Sequence, residues 1–487
     1  MNDNTQQRYE KSKTNEDIKD QKIQILQRKL EVSQKRNQHL LSKKNDVELK
    51  LRSVTNSRLY KILKGYYRFK SEFLKGNKHQ RRKFLSDVLT LLYRLRNKTR
   101  TNKQDQQLEK QLDQFLEHVK SSSTDSIVFM FSGTTYIQDY KGNRPIRITK
   151  ELLNKKVPVI FSYWRWNTND SLPEYTDVNL FQSPIDYTMK VMKKLSDFDF
   201  KGKKKIFIIS FPHESCARWG NVFKMNGWTT IYDVRDEWEE FHKVGQAKWF
   251  NQSIEKYIVN NVDVVCTVSR PLQEKMQSFT ENKKVYLSPN GLGEEYLENG
   301  KITIPEKVKT KTIGYVGHLT DAWFDWESLI NIAQSEPSWN FELIGHTMPS
   351  TLNLPSNIKH LGPKKYNEIK EISKTWNVAI IPFKISKLAD GVDPIKVYEY
   401  LAMGLPVVSF RMPQIHDYPY VFIANSTDEF KENIKKAFDV QIDKEVVHNF
   451  LMVNRWVDRA NQFLSWGQEY HSKGVLNSIK QGGEVQK

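Results

Sequence analysis

GVDPIKVYEYLAMGLPVVS, residues 391–409, writes a helix N-terminus and a buried strand in one run. Asp393 is placed to cap, Pro394 suits the first helical position, and the helix continues through Lys396, Glu399 and Ala402 until Gly404 and Pro406 stop it. Val407 and Val408 then enter a core strand of the parallel kind. Lys396 and Glu399 are three apart, so they share one helix face near the positive end of the dipole. An ammonium and a carboxylate in that position suit a diphosphate beside a hydroxyl-bearing sugar. A plain helix start carrying a surface ion pair has the same spacing.

Working outward, short apolar runs alternate with helical stretches on both sides of this segment. SIVFMF (126–131), VPVIFSYW (157–164), KIFIIS (205–210), TTIYDV (229–234) and VDVVCTV (262–268) read as parallel strands of one doubly wound sheet. TIGYVG, NFELIG, IKHLG, VAIIPF and PVVSF follow as a second. The fold class is therefore α/β, with two Rossmann-like doubly wound domains facing a cleft at their strand ends, where open parallel sheets take ligands.

The 487 residues are long enough for two such domains and an accessory arm. Only Cys216 and Cys266 occur, which excludes a disulfide framework and suits a reducing cytoplasm. No stretch approaches the roughly 18–20 apolar residues of a spanning helix, and the first residues lack an apolar signal region. Charge is placed unevenly: residues 1–120 hold 30 Lys or Arg against 14 Asp or Glu, and residues 51–100 hold 15 against 2. Such density points to a polyanion. Ile23, Leu30, Asn37, Lys44 and Leu51 form one heptad seam position, with Leu26, Ser33, Leu40, Val47 and Val54 at the other. We read 18–54 as a coiled coil that oligomerises the chain, the alternative being a long helix packed on its own body. SRLYKILKGYYRFKSEFLK (57–75) has the aromatic and basic interleaving of a helix lying on anionic membrane. The expected organisation is a basic helical arm over 1–120 and domains at 121–290 and 291–445. A closing helix over 446–472 and a disordered tail over 473–487 complete it.

VDVVCTVSRPLQEKM (262–276) followed by KVYLSPNGLGEEYL (284–297) resembles the strand, helix, strand and "pNG" linker of the GT-B glycosyltransferases, specifically the large retaining family four. KTIGYVGHLTDAWFDWESLINIAQSEPSWNFELIGHT (311–347), NIKHLGPKKYNEI (357–369) and VAIIPFK (378–384) match that family's second domain in order, and the resemblance spans about 125–465. The form PxKxYEYLAxGxPVV is similar to that of bacterial enzymes of teichuronic acid and capsule-like polysaccharide assembly.

The resemblance carries site residues with it. Glu399 matches the second Glu of the family's paired-Glu motif and would accept hydrogen bonds from a ribose or sugar diol. The first Glu should stand at 391, which is Gly, so Gly391 and the nearby acids Asp390 and Asp393 leave that role open. Lys396 would neutralise the departing diphosphate. Gly317 permits close approach of backbone to phosphate, with His318 beside it in place of an expected cation. Pro394 and Ile395 complete the donor-binding helix start, and Gly133 sits in the loop after the first strand. His213, at another strand end, is either the His that the family often places beside the reacting sugar or a structural one. Asp233, Arg235 and Asp236 either orient the acceptor or form a structural salt bridge.

The resemblance implies a metal-independent hexosyltransferase, needing no cofactor beyond its nucleotide diphosphate sugar substrate. It would move the sugar with retention to a hydroxyl of a cell-surface glycan or lipid-linked acceptor. Front-face attack, with the leaving phosphate accepting the proton, is the family's route. The expected setting is cytoplasmic, peripheral to the inner face of the membrane, with no nucleic-acid partner. Two rival readings stand beside it: nucleic-acid binding through the arm, or a scaffold of this fold that has lost activity.

Overall fold

The computed structural model describes residues 103–138, 142–164, 175–297 and 311–483. The coiled coil at 18–54, the basic segment at 57–75 and residues 484–487 lie outside the described residues. From Asp105 to Lys487 the chain forms one compact unit.

Residues 103–121 are helical (α1). Leu108, Leu112, Phe115, Leu116 and Val119 recur on one face and are buried in the core of the first domain. This corrects the boundary expected at 121. The charged face of the helix looks like arm in the sequence, but its apolar stripe belongs to the sheet that follows.

The first domain continues with β1 (Ser126–Phe131), α2 (Arg144–Asn154), β2 (Val159–Tyr163), β3 (Leu180–Pro184) and α3 (Ile185–Asp197). Next come β4 (Lys204–Ile209), α4 (Glu214–Met225), β5 (Thr229–Val234), α5 (Trp238–Lys243) and α6 (Gln252–Asn261). β6 (Val264–Thr267), α7 (Arg270–Gln277) and β7 (Val285–Leu287) finish it. The seven parallel strands lie in the order β3-β2-β1-β4-β5-β6-β7, so the winding reverses between β1 and β4. β1 and β2 are buried throughout, as continuous apolar runs in a sheet covered on both faces should be.

The second domain runs β8 (Thr312–His318), α8 (Trp326–Ser335), β9 (Asn340–His346), β10 (Ile358–Gly362), α9 (Tyr366–Ser373) and β11 (Val378–Ile381). α10 (Lys387–Asp390), α11 (Ile395–Ala402), β12 (Val407–Phe410), β13 (Val421–Ala424), α12 (Thr427–Asp439) and α13 (Lys444–Met452) follow. Its six parallel strands lie in the order β10-β9-β8-β11-β12-β13, reversing between β8 and β11. β3 and β13 are additions to the sequence reading, both next to or at a sheet edge.

The chain crosses between domains twice, and the two crossings touch. Leu292 bridges Arg455, and a Cβ on Gly291 would stand 2.8 Å from the Arg455 carbonyl carbon, so only glycine fits there. α14 (Trp456–Gly483) then returns to the first domain, burying Trp456, Ala460, Phe463 and Trp466 against its sheet. A Cβ on Gly467 would reach within 2.2 Å of Ile206, so this turn of helix lies flat on β4. The helix continues past Lys473, where a disordered tail was expected, and it begins at Trp456 because Lys444–Met452 is a separate helix docked on α11.

Candidate active site

Both reversal points open onto one cleft of about 760 Å³, a size suited to ligands within the usual range of roughly 300–1,000 Å³. The first domain contributes Thr135, Gly142, Asn143 and Arg144 beyond β1, with Arg235 and Asp236 beyond β5. The second contributes Gly317 and His318 at the end of β8, Gly345 and His346 at the end of β9, and the start of α11.

Helix α11 places Lys396 and Glu399 on the cleft wall, together with Asp393, Pro394 and Ile395. The Lys396 ammonium donates to the Tyr315 hydroxyl at 3.1 Å and lies over the Tyr315 and Phe383 rings, 4.4 Å and 4.7 Å from their centroids. Burial among these rings brings its pKa down to about 7, with the negative charge of Glu399 opposing that fall. Burial pushes the Glu399 carboxyl up, while the Arg147 guanidinium, 3.8 Å away, pulls it back.

Gly317 and Gly345 pair in register, as do His318 and His346. Both glycines have positive φ, +152° and +159°, conformations nearly reserved for glycine. A Cβ at 317 would stand 2.7 Å from the Lys396 nitrogen, and one at 345 would stand 1.8 Å from the Gly317 carbonyl oxygen. The two imidazoles, 4.1 Å apart at their centroids, flank this step with Trp323 nearby. His346 was not singled out from the sequence, although the repeat of Gly-His at two strand ends, VGHLT and IGHTM, is the signal that marks it.

Asp393 does not cap α11. Pro394 occupies the cap position, and the buried Asp393 carboxylate accepts from the Asn290 backbone N–H at 2.6 Å and from the Tyr398 and Tyr418 hydroxyls. Burial raises its pKa to about 6. It therefore ties the interdomain linker to α11, and Arg144 and Arg459 hold the same linker through the Pro289 carbonyl. Asp390 pairs with Arg411 at 3.0 Å and stands outside the cleft lining. Asp393 is thus committed to the linker and two tyrosines, and Asp390, paired with Arg411, keeps one oxygen without a hydrogen-bond donor.

Four further candidates stand elsewhere than expected. Gly391 is not on the cleft wall: its carbonyl accepts from Ser269 at 2.8 Å, and a Cβ there would press on Glu237, so it marks close packing between the domains. Gly133 is wedged against Trp164 and Phe211, at 2.9 Å and 3.0 Å from a would-be Cβ, behind the cleft lining. His213 caps α4, its ring nitrogen accepting from the Ser215 N–H at 3.1 Å, and burial lowers its pKa. It packs near Phe211 and Trp249 and does not line the cleft. Asp233 is fully buried and receives Arg144 on both oxygens at 2.9 Å, which makes it a structural partner and not an acceptor ligand. Arg235 and Asp236 do line the cleft; burial raises Asp236 to about 6.

Among the described residues no three His, Cys, Asp or Glu side chains are grouped to hold a metal ion, and no helix is long and apolar enough to cross a membrane.

No family model matches the chain. Over 316 residues it is 25% identical to TuaH of Bacillus subtilis (strain 168), assigned by name to teichuronic acid biosynthesis as a glycosyltransferase; the match covers 60% of this chain and 72% of that one. Among solved structures, the lipopolysaccharide outer core galactosyltransferase WaaB in its apo form superimposes with a TM-score of 0.51 at 13% identity, covering 69% of this chain and 99% of WaaB. The trehalose-6-phosphate synthase OtsA does so with a TM-score of 0.51 at 10% identity, covering 70% and 99%. The chain has the two-domain GT-B fold. In that fold the cleft described above is the space between the two domains, and α14 is the helix that closes the chain back on the first.

Proposed function

We propose that this GT-B protein transfers a sugar from a nucleotide diphosphate sugar to a hydroxyl of a cell-surface glycan or lipid-linked acceptor, with retention of configuration and without a catalytic metal. The observation that carries this reading is the convergence of Gly317, Lys396 and Glu399 at the reversal point of the second sheet. Gly317 brings bare backbone to the cleft wall against the Lys396 ammonium, Lys396 supplies the one positive charge of α11 for a phosphate approaching there, and Glu399 stands three residues on to accept a diol. A protein of the same fold from E. coli, at 11% identity, is described bound with UDP-2-fluoro glucose. The acceptor class follows the teichuronic acid biosynthesis assignment carried by the name of TuaH.

The acceptor would enter from the wall formed by α2 and the end of β5. Asp236, beside Arg235 at 3.6 Å, is the carboxylate there that is placed to accept from an incoming hydroxyl. Charge developing on the leaving diphosphate would be met by Lys396 and the backbone at Gly317. A thermal-shift screen of nucleotide sugars tests the reading first, because a ligand of the native state raises its melting temperature. Glu399→Gln and Lys396→Ala should each reduce the shift. A donor that stabilises both variants as well as the parent would refute the site. Transfer that persists in excess chelator, with the product anomer read by NMR, tests the metal and stereochemical parts.

A further inference from the structure

Arg147 stands one turn into α2 of the first domain, and its guanidinium reaches out of that domain altogether. One terminal nitrogen bonds Glu295 in the interdomain crossing, the other lies 3.8 Å from the Glu399 carboxylate of the second domain, and Nε donates to the Gly142 carbonyl at 3.4 Å. The side chain runs so close over Gly142 that a Cβ there would stand 3.0 Å from it. Arg147 itself does not line the cleft, whereas Gly142 and Glu399 do.

The groups facing Glu399 are few. Lys396 comes from its own helix, the Tyr296 hydroxyl and Glu295 from the crossing, and Arg147 from the opposite domain. Burial and the Glu295 charge both favour a protonated Glu399; Arg147 is the strongest influence the other way. A carboxylic acid offers a diol one fewer acceptor than a carboxylate does, so the state of Glu399 decides how well it binds hydroxyl pairs. Lys396 is poorly suited to this task, because its ammonium is turned to Tyr315 and Phe383.

We propose that Arg147 is a positioning residue of the donor site: reaching across from the first domain, it holds Glu399 ionised and oriented, so that donor affinity depends on how closely the two domains approach. The proposal rests on the reading of Glu399 as the donor's diol acceptor. Glu295 has the opposite electrostatic effect, since it shares Arg147 and repels Glu399. The two neighbours therefore push the same carboxyl in opposite directions.

That opposition supplies the test. In the full-length protein, Arg147→Met, Arg147→Lys, Glu295→Gln and Glu399→Gln are compared by donor KM, by kcat at saturating donor, and by the pH profile of kcat/KM for donor. The Arg147 charge lowers the Glu399 carboxyl, so Arg147→Met should move the acid limb up in pH. It should also raise donor KM about tenfold while leaving kcat within about threefold, the pattern of lost ground-state binding. Arg147→Lys should restore most of the loss, and Glu295→Gln should move the acid limb down. The Arg147→Lys and Glu295→Gln profiles carry the test if Arg147→Met does not fold. An acid limb unmoved in Arg147→Met, or moved the same way by Glu295→Gln, overturns the proposal while a weakened Glu399→Gln keeps the donor site standing. A Glu399→Gln enzyme with parental donor KM overturns the donor site itself.

Discussion

The Lys396 ammonium occupies the space that a Cβ on Gly317 would need, 2.7 Å from it. The strand end and the helix start are thus fitted to each other, and the fit requires glycine twice over, because φ at 317 is +152°. Gly317→Ala should cost about 1–3 kcal/mol of stability from backbone strain and should displace Lys396 from the cleft floor. We expect a folded enzyme whose donor KM rises at least tenfold. Urea unfolding and donor titration check the two parts separately, and parental donor affinity in a destabilised variant would separate Gly317 from the phosphate.

With Lys396 in its proposed role, donor binding should depend on pH with a definite sign. Its folded pKa of about 7 lies below the unfolded value of about 10.4, so between the two the native state holds fewer protons than the unfolded chain. The charged amine weighs on the fold below pH 7, and that burden lifts as pH rises. For the donor the sign is reversed, since only the ammonium attracts a diphosphate. Donor KM should climb as pH passes upward through 7, and Lys396→Met should give a high KM that no longer follows this titration. A parental KM that stays flat through neutrality would mean that the amine is charged throughout.

Much of this architecture was legible in the chain because it is written locally. The strands with continuous apolar runs and the helix Ile395–Ala402, set between Pro394 and Gly404, are short-range patterns. β3 and β13 escaped because LFQSP and VFIA are short pieces at or near sheet edges, only partly buried and weakly patterned. Asp393 has the local signature of a cap, yet it is claimed by Asn290, 103 residues away, and by two tyrosines. Arg144 and Arg147 were invisible for the same reason: their partners Asp233, Glu295 and Glu399 lie far along the chain and are assembled only by the domain packing.

The Arg144–Asp233 pair should be the costliest polar contact to break in the first domain. Both side chains are almost completely buried, and Arg144 also donates to Ser288 and to the Pro289 carbonyl in the linker. Removing one partner strands the other charge, so Asp233→Asn or Arg144→Met should each lose about 3–5 kcal/mol. The double variant should recover part of that loss, because no charge is left unpaired. Additive losses in urea denaturation would contradict a coupled pair.

The boundary at Asp105 makes a sharp prediction about truncation. Residues before it fall outside the compact unit, while Leu108, Leu112, Phe115, Leu116 and Val119 are core residues of the first domain. Burial of each such side chain is worth about 1.5–3 kcal/mol as an upper figure, so losing five approaches the whole stability of about 5–15 kcal/mol of an ordinary domain. Deleting residues 1–104 should leave a folded protein that still gives a donor thermal shift, whereas deleting 1–120 should give an aggregating one. The shorter deletion then isolates the role we propose for the basic arm, with its 15 cations against 2 acids over 51–100. Each basic group near an anionic surface contributes about 1 kcal/mol, screened by salt, so its removal should release the protein from anionic liposomes. It should also lower the mass in light scattering if the heptads at 18–54 join chains. A deletion variant that still floats with anionic liposomes would take membrane docking away from the arm, and one that keeps the parental assembly would take oligomerisation away from it.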